Sequence, residues 1–155
     1  MGIKDLKPQL IWSYFDEITR VPRPSKKEEK IRAYLLDFAK KHNLTVRTDA
    51  TGNVLICKSA TPGCEDRLGV ILQSHMDMVC EKNAGVEHDF DKDPIDVYID
   101  GEWVKARGTT LGADNGIGMA AALAVLASDD LVHPSLEALF TVDEETGLTG
   151  AFGME

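Results

Sequence analysis

Apolar side chains recur over the first forty residues at the three- and four-residue spacing of a helix, then shift to short runs of strand length. Leu10, Ile11, Tyr14, Phe15 and Ile18 mark the inner stripe of a first helix, and Pro22 and Pro24 break the chain after it. A second helix is predicted to open at Ser25-Lys26-Lys27-Glu28. This is a capping-box signature, in which each side chain can satisfy a free backbone N–H at the other end. Ile31, Leu35, Phe38 and Ala39 form its buried face, and Asn43 is its stop.

The remainder reads mainly as strands. Residues 44–47 and 53–57 flank the turn at Thr51-Gly52-Asn53 and predict a hairpin. Residues 69–73 form a short apolar run of the buried-strand type. Asp100-Gly101 separates residues 95–99 from 103–106, a two-residue hairpin signal. A glycine-studded loop covers residues 108–116, and an Ala/Leu-rich helix runs from about residue 117 to 127. A last strand, residues 136–142, leads into Asp143-Glu144-Glu145. This order of elements predicts an α/β fold, a mixed β-sheet with flanking helices. Neither a repeat nor a low-complexity linker divides residues 1–155, so they read as one unit.

Composition narrows the function. At 43% hydrophobic and 28% charged residues the chain is globular in character. A net charge of -9 excludes a nucleic-acid partner, whose phosphates need a basic surface. Without a Lys/Arg run, an anionic membrane surface is excluded too. The acidity serves solubility, with a share left for carboxylates gathered around cations. Met1-Gly2 is followed by Leu6 where myristoylation wants Ser or Thr, and no signal-type apolar run opens the chain. The small-apolar stretch 118–127 has half the roughly 20 residues that span a bilayer. Cys57, Cys64 and Cys80 form no C-x-x-C and are odd in number. They read as reduced thiols of a cytoplasmic protein.

Three clusters carry candidate chemistry, and in open α/β sheets sites form beyond the carboxyl ends of strands. In His75-Met76-Asp77 the first and third residues share a side of an extended segment. Asp77 can then hold one ring nitrogen while the other binds a metal, or the pair is a core histidine satisfied by an acid. Asp114, in Gly112-Ala113-Asp114-Asn115-Gly116, is either a ligand or an ordinary helix N-cap. Asp143-Glu144-Glu145 is either a solvated loop tip or a cation site. Like charges ~4 Å apart repel by roughly 4 kcal/mol at an effective dielectric near 20, and a divalent ion relieves that. Together the three clusters suit two divalent ions, with Asp114 the natural bridge and one of the two Glu side chains free to reach water.

The long stretch of residues 93–119 closely resembles the aminoacyl-histidine dipeptidases. So do Gln73-Ser74-His75-Met76-Asp77-Met78-Val79 and the run from Glu144-Glu145-Thr146-Gly147 to Gly153. The resemblance covers nearly the whole chain and implies the catalytic domain of a two-zinc peptidase. It implies hydrolysis of dipeptides, preferentially with carboxy-terminal histidine, by a metal-activated water. Carried over by motif, His75, Asp114 and Glu145 are metal ligands, with Asp114 bridging. Asp77 orients His75, and Glu144 is the general base. The implied cofactor is two divalent ions, Zn²⁺ first, with Mn²⁺ or Co²⁺ as alternatives, because His plus carboxylates suit all three. The implied partners are a short peptide and, for the full-length enzyme, a second copy in a homodimer.

Members of that family continue far beyond the position of Glu155, with a further acidic ligand, a late histidine and a second domain. The expectation is therefore an amino-terminal portion of the catalytic domain, with an incomplete metal shell and little activity alone. His42, His88 and His133 lie in no matching motif and read as ordinary surface or loop histidines, and Cys80 as a packed thiol. Two other readings stand beside this one. The first is a deacylase or aminopeptidase of the same clan; the second is a non-catalytic interaction module.

Overall fold

The computed structural model describes residues 2–154. After a 3₁₀ turn at Ile3–Asp5 come α1 (Gln9–Thr19) and α2 (Glu29–Lys41). Next is the hairpin of β1 (Thr45–Thr48) and β2 (Val54–Lys58), then β3 (Val70–His75) and a second hairpin, β4 (Val97–Asp100) and β5 (Trp103–Ala106). The chain continues through α3 (Ala113–Ala127), β6 (Leu136–Thr141) and the short α4 (Thr149–Phe152). Four strands form one mixed sheet in the order β1-β2-β6-β3, and β4 and β5 pair separately. Within that sheet β3 and β6 are the parallel pair, joined by a crossover through β4, β5 and α3.

Register explains the core. Val54 pairs with Phe140 and Ile56 with Ala138, so the four side chains share one face. All four are fully buried beneath α2 and α3, and α1 packs on α3, with Phe15 and Ile18 buried in the same core. Each large apolar side chain buried there contributes ~1.5–3 kcal/mol. The helical stripe of α1 is as the spacing predicts, except that Leu10 is 41% exposed at its first turn.

Four local expectations are corrected. The run 69–73 is a strand, but it lies at the sheet's edge and not in its interior: Val70 is 41% and Ile71 64% exposed, and burial begins only at Ser74 and His75. An apolar run of this length carries no alternation that says which face is covered.

Ser25-Lys26-Lys27-Glu28 does not cap α2, whose first turn has no side-chain cap bond. Lys26 stands at φ 69, so a tight turn separates Ser25 from the helix and sends both polar side chains elsewhere. The glycine loop also ends earlier than predicted: α3 is entered at Ala113, with Asp114 and Asn115 in non-helical φ/ψ and a cis peptide between them. The β4–β5 turn centres on Gly101-Glu102, since Asp100 pairs with Trp103.

Candidate metal centre

Parallel neighbours deliver their carboxyl ends to the same side of a sheet, and β3 and β6 do so here. His75 closes β3 opposite Thr141, the last residue of β6. Glu144 and Glu145 come three and four residues later. The entry to α3 brings Asp114 to the same place. His75 Nε2 lies 3.0 Å from Asp114 Oδ1 and 3.8 Å from Glu144 Oε2. One ligand atom each of His75, Glu144 and Glu145 lies within 4.8 Å of the others. Residues 39 and 69 positions apart in sequence from His75 thus meet around one ring nitrogen.

The other ring nitrogen is fixed. Nδ1 faces the carbonyl of Asp77 at 3.1 Å and its Oδ1 at 3.2 Å, and both are acceptors, so Nδ1 carries a proton and donates. Nε2 also faces only acceptors. Burial opposes a charge on the ring, but hydrogen bonds to Asp77 and Asp114 outweigh it and push His75 up to about 9. A metal would replace the proton on Nε2.

Asp77 is fully buried. Its Oδ1 accepts from the Glu144 amide at 3.0 Å as well as from His75. Its Oδ2 accepts from the Ser25 hydroxyl at 2.7 Å and the Glu145 amide at 3.2 Å. Burial alone would raise this carboxyl, yet the four donors hold it well below the usual range. The same carboxylate thus orients the imidazole and tethers the backbone of both glutamates.

The outer carboxylates are differently placed. The Asp114 side chain is 84% exposed and that of Glu144 is 36% exposed. Asp114 does not cap α3, which has no side-chain cap bond; its carboxylate turns to His75 instead. Glu145 is exposed, and its carboxyl is raised first by desolvation and then by Glu144, Asp114 and Asp77, with His75 pulling the other way. Asp114 and Glu144 face the same ring nitrogen and Glu145 stands beside Glu144, so carboxylates gather around one imidazole, a cation-seeking arrangement. The donor set also fits: ligand atoms of His75, Glu144 and Glu145 lie within 4.8 Å of one another, Asp114 lies outside that group but 3.0 Å from His75 Nε2, and an imidazole nitrogen with carboxylate oxygens is the donor chemistry of such ions.

Asp143 parts company with its neighbours. It is buried at φ 48, and its two oxygens accept from the hydroxyls of Thr146 and Thr149. Glu28, Asp77 and Asp143 form a second, wholly buried group of carboxylates. Glu28 Oε1 accepts from the amides of Lys26 and Asp143, each at 2.9 Å. With Asp77 and Asp143 also occupied by protein donors, this group is scaffold holding the loop after β6.

Spacing and residue type do not reveal several of these supports. Ser25 and Glu28 carry only a capping signal, and Arg23, between two prolines, resembles any surface arginine, although it is 2% exposed. Asn53 has the signal of a turn residue; it also donates to the Gly150 carbonyl at 2.8 Å and accepts from the Val142 amide at 3.0 Å.

The remaining candidates lie apart. His42 stacks on Phe38 with ring centroids 4.5 Å apart. His133 is in a loop but buried, and its Nδ1 donates to the Pro134 carbonyl at 2.7 Å. His88 packs edge-on to Phe90. Cys80 is a thiol raised by burial, its Sγ 3.6 Å from the Met78 carbonyl, and no cysteine is in a disulfide. Beside the His75 cluster a cleft of about 350 Å³ is walled by Gln73, Leu139, Leu148 and Ala151. It has room for a small ligand next to the carboxylates. No helix is long and apolar enough to cross a membrane among the described residues.

Residues 71–155 match the model of peptidase family M20/M25/M40. Over 153 residues the chain is 55% identical to the cytosol non-specific dipeptidase of Escherichia coli (strain K12), covering 99% of this chain and 32% of that protein. It superposes on the crystal structure of the aminoacylhistidine dipeptidase from Vibrio alginolyticus with a TM-score of 0.98 and 55% identity, over 100% of this chain and 32% of that one. A dinuclear metal-binding peptidase of the M20 family from Bacillus subtilis shares the fold, with a TM-score of 0.54 and 12% identity over 87% of this chain and 35% of that one. The chain spans about a third of the length of each of these relatives.

Proposed function

Since the chain belongs to peptidase family M20/M25/M40, we propose that its protein hydrolyses dipeptides, preferentially those with a carboxy-terminal histidine, in the cytoplasm. One observation carries the reading: His75, locked through Nδ1 by a buried carboxylate, aims Nε2 at Asp114 and Glu144 with Glu145 alongside. Its cofactor is two divalent ions, zinc first. His75, Asp114 and Glu145 would hold them. When bound, the ions supply Lewis acidity to the peptide carbonyl and to the attacking water.

The chain's own residues do the rest. Asp77 keeps the proton on Nδ1 of His75, so that Nε2 offers its lone pair to the centre, and its hold on the Glu144 and Glu145 amides fixes where those side chains start. Glu144 takes the proton of the attacking water on its carboxylate and passes it to the departing amine, a task worth roughly 10²–10⁴-fold in rate. Three candidate ligands are few for two ions, and the relatives are about three times as long. We take residues 1–155 as the amino-terminal portion of the catalytic domain, inactive alone, with a homodimer as the state of the whole enzyme. The names of the two 55%-identical relatives point to dipeptides, the Vibrio protein's to an aminoacyl-histidine bond.

The test is an assay of the full-length protein on a set of Xaa-His and other dipeptides, with and without chelator. Chelator-sensitive hydrolysis that is fastest on Xaa-His is expected. Glu144→Gln should lower kcat by about 10²–10⁴-fold while metal content stays as in the wild type. Hydrolysis untouched by chelator, or by that substitution, would sink the reading.

A further inference from the structure

Arg23 is the largest of the fully buried side chains, a cation placed where apolar packing would be expected. Its Nη1 donates to the carbonyls of Met76 and Asp77, each at 3.0 Å, and its Nη2 to the carbonyl of Gly112. The first two belong to the segment that carries His75 and Asp77, and the third opens the turn that carries Asp114. One planar group thus ties the two separate pieces of chain from which the candidate ligands project. Its own carbonyl accepts from the Met78 amide at 3.1 Å, and Pro24 pairs with Met78, so the bond runs both ways.

The glycines around it fit the same account. A Cβ on Gly112 would lie 2.5 Å from Arg23 Nη2, and one on Gly116 would lie 2.7 Å from it. Close approach of this guanidinium thus leaves no room for a side chain at either glycine, and Gly112, the N-cap of α3, also stands at φ 68, where glycine is favoured. Two residues on, the Ser25 hydroxyl holds Asp77 Oδ2, and Glu28 holds the Asp143 amide just before Glu144.

We propose that Arg23 is a positioning residue of the metal centre, fixing the spacing between the His75-Met76-Asp77 segment and the Asp114 turn, with Ser25 as its auxiliary on Asp77. This role rests on the two-ion reading of the site. A lysine cannot replace Arg23, since a single ammonium lacks the fork that spans three carbonyls on two segments.

The test measures Zn²⁺ affinity and stoichiometry by calorimetric titration in the full-length protein, for the wild type, Arg23→Lys and Ser25→Ala, with far-UV circular dichroism of each. Arg23→Lys should stay folded and bind zinc at least about 10-fold more weakly, the loss usual for groups that orient metal ligands. Ser25→Ala should lose several-fold. With zinc saturating, kcat should fall in Arg23→Lys while KM holds, a split that general destabilisation does not produce. If Arg23→Lys fails to fold, Ser25→Ala decides. Wild-type zinc affinity in the folded variants would overturn the positioning role alone. A wild-type protein that binds no zinc would overturn the metal reading and this proposal with it.

Discussion

The candidate centre has two halves built on opposite terms. On the inner half, His75 and Asp77 are buried, and Asp77 accepts from four donors. On the outer half, the Asp114, Glu144 and Glu145 side chains stand at the rim, with Asp114 84% exposed and bonded to His75. The inner half is complete without any ion, because protein hydrogen bonds compensate its charge. The outer half gains its full stabilisation only from a cation, since three carboxylates share one histidine. Preorganisation is thus concentrated in the imidazole and its carboxylate, and the rim is left free to close on metal and water.

The largest effect should come from cutting the inner half. Asp77→Ala removes the acceptor of two backbone amides, a hydroxyl and a buried imidazole, and should destabilise the chain by about 3–5 kcal/mol, as read by urea unfolding. A loss under about 1 kcal/mol would erase the contrast between the halves. Next is the response to metal. Zinc at roughly 100 times its dissociation constant should add about 2.7 kcal/mol per bound ion to the stability of the full-length protein, seen as a chelator-reversible rise in Tm.

A pH series separates the halves further. His75 sits at about 9 in the folded, metal-free chain against an ordinary value near 6.5, so its contribution is complete below about pH 6.5 and is lost as pH rises through about 9. Asp77 is shifted the other way. Its contribution is present above its ordinary value near 3.9 and is lost only as pH falls well below it. Metal-free stability should therefore decline on the alkaline side by about 1–3 kcal/mol, and His75→Gln should abolish that decline. The smallest effect belongs to the rim. Asp114→Asn should change metal-free stability by no more than about 0.5 kcal/mol while weakening zinc binding at least about 10-fold.

The same division governs what is legible in the sequence. The helical stripe of α1 and α2, both hairpins and the mixed sheet can be read from apolar spacing and turn residues, because burial imposes a period. The edge position of β3 cannot, since which strand lacks a neighbour is decided by distant pairing with β6. Within the site, His75, Asp77, Asp114, Glu144 and Glu145 are legible as residue types suited to cations, sharpened by a family resemblance. Their supports are not. Ser25 and Glu28 match a local cap so well that their long-range bonds, to partners 52 and 115 residues away, leave no trace in spacing. Arg23 has no signal at all, because a buried arginine is specified by the carbonyls around it.

The most direct test is anomalous diffraction at the zinc edge from crystals of the full-length protein grown with zinc. Two ions beside His75 Nε2, one or both touching Asp114 and one touching Glu145, with Nδ1 still on Asp77, is the result expected. Zinc bound elsewhere, or a His75 ring turned away from the three carboxylates, would contradict the account.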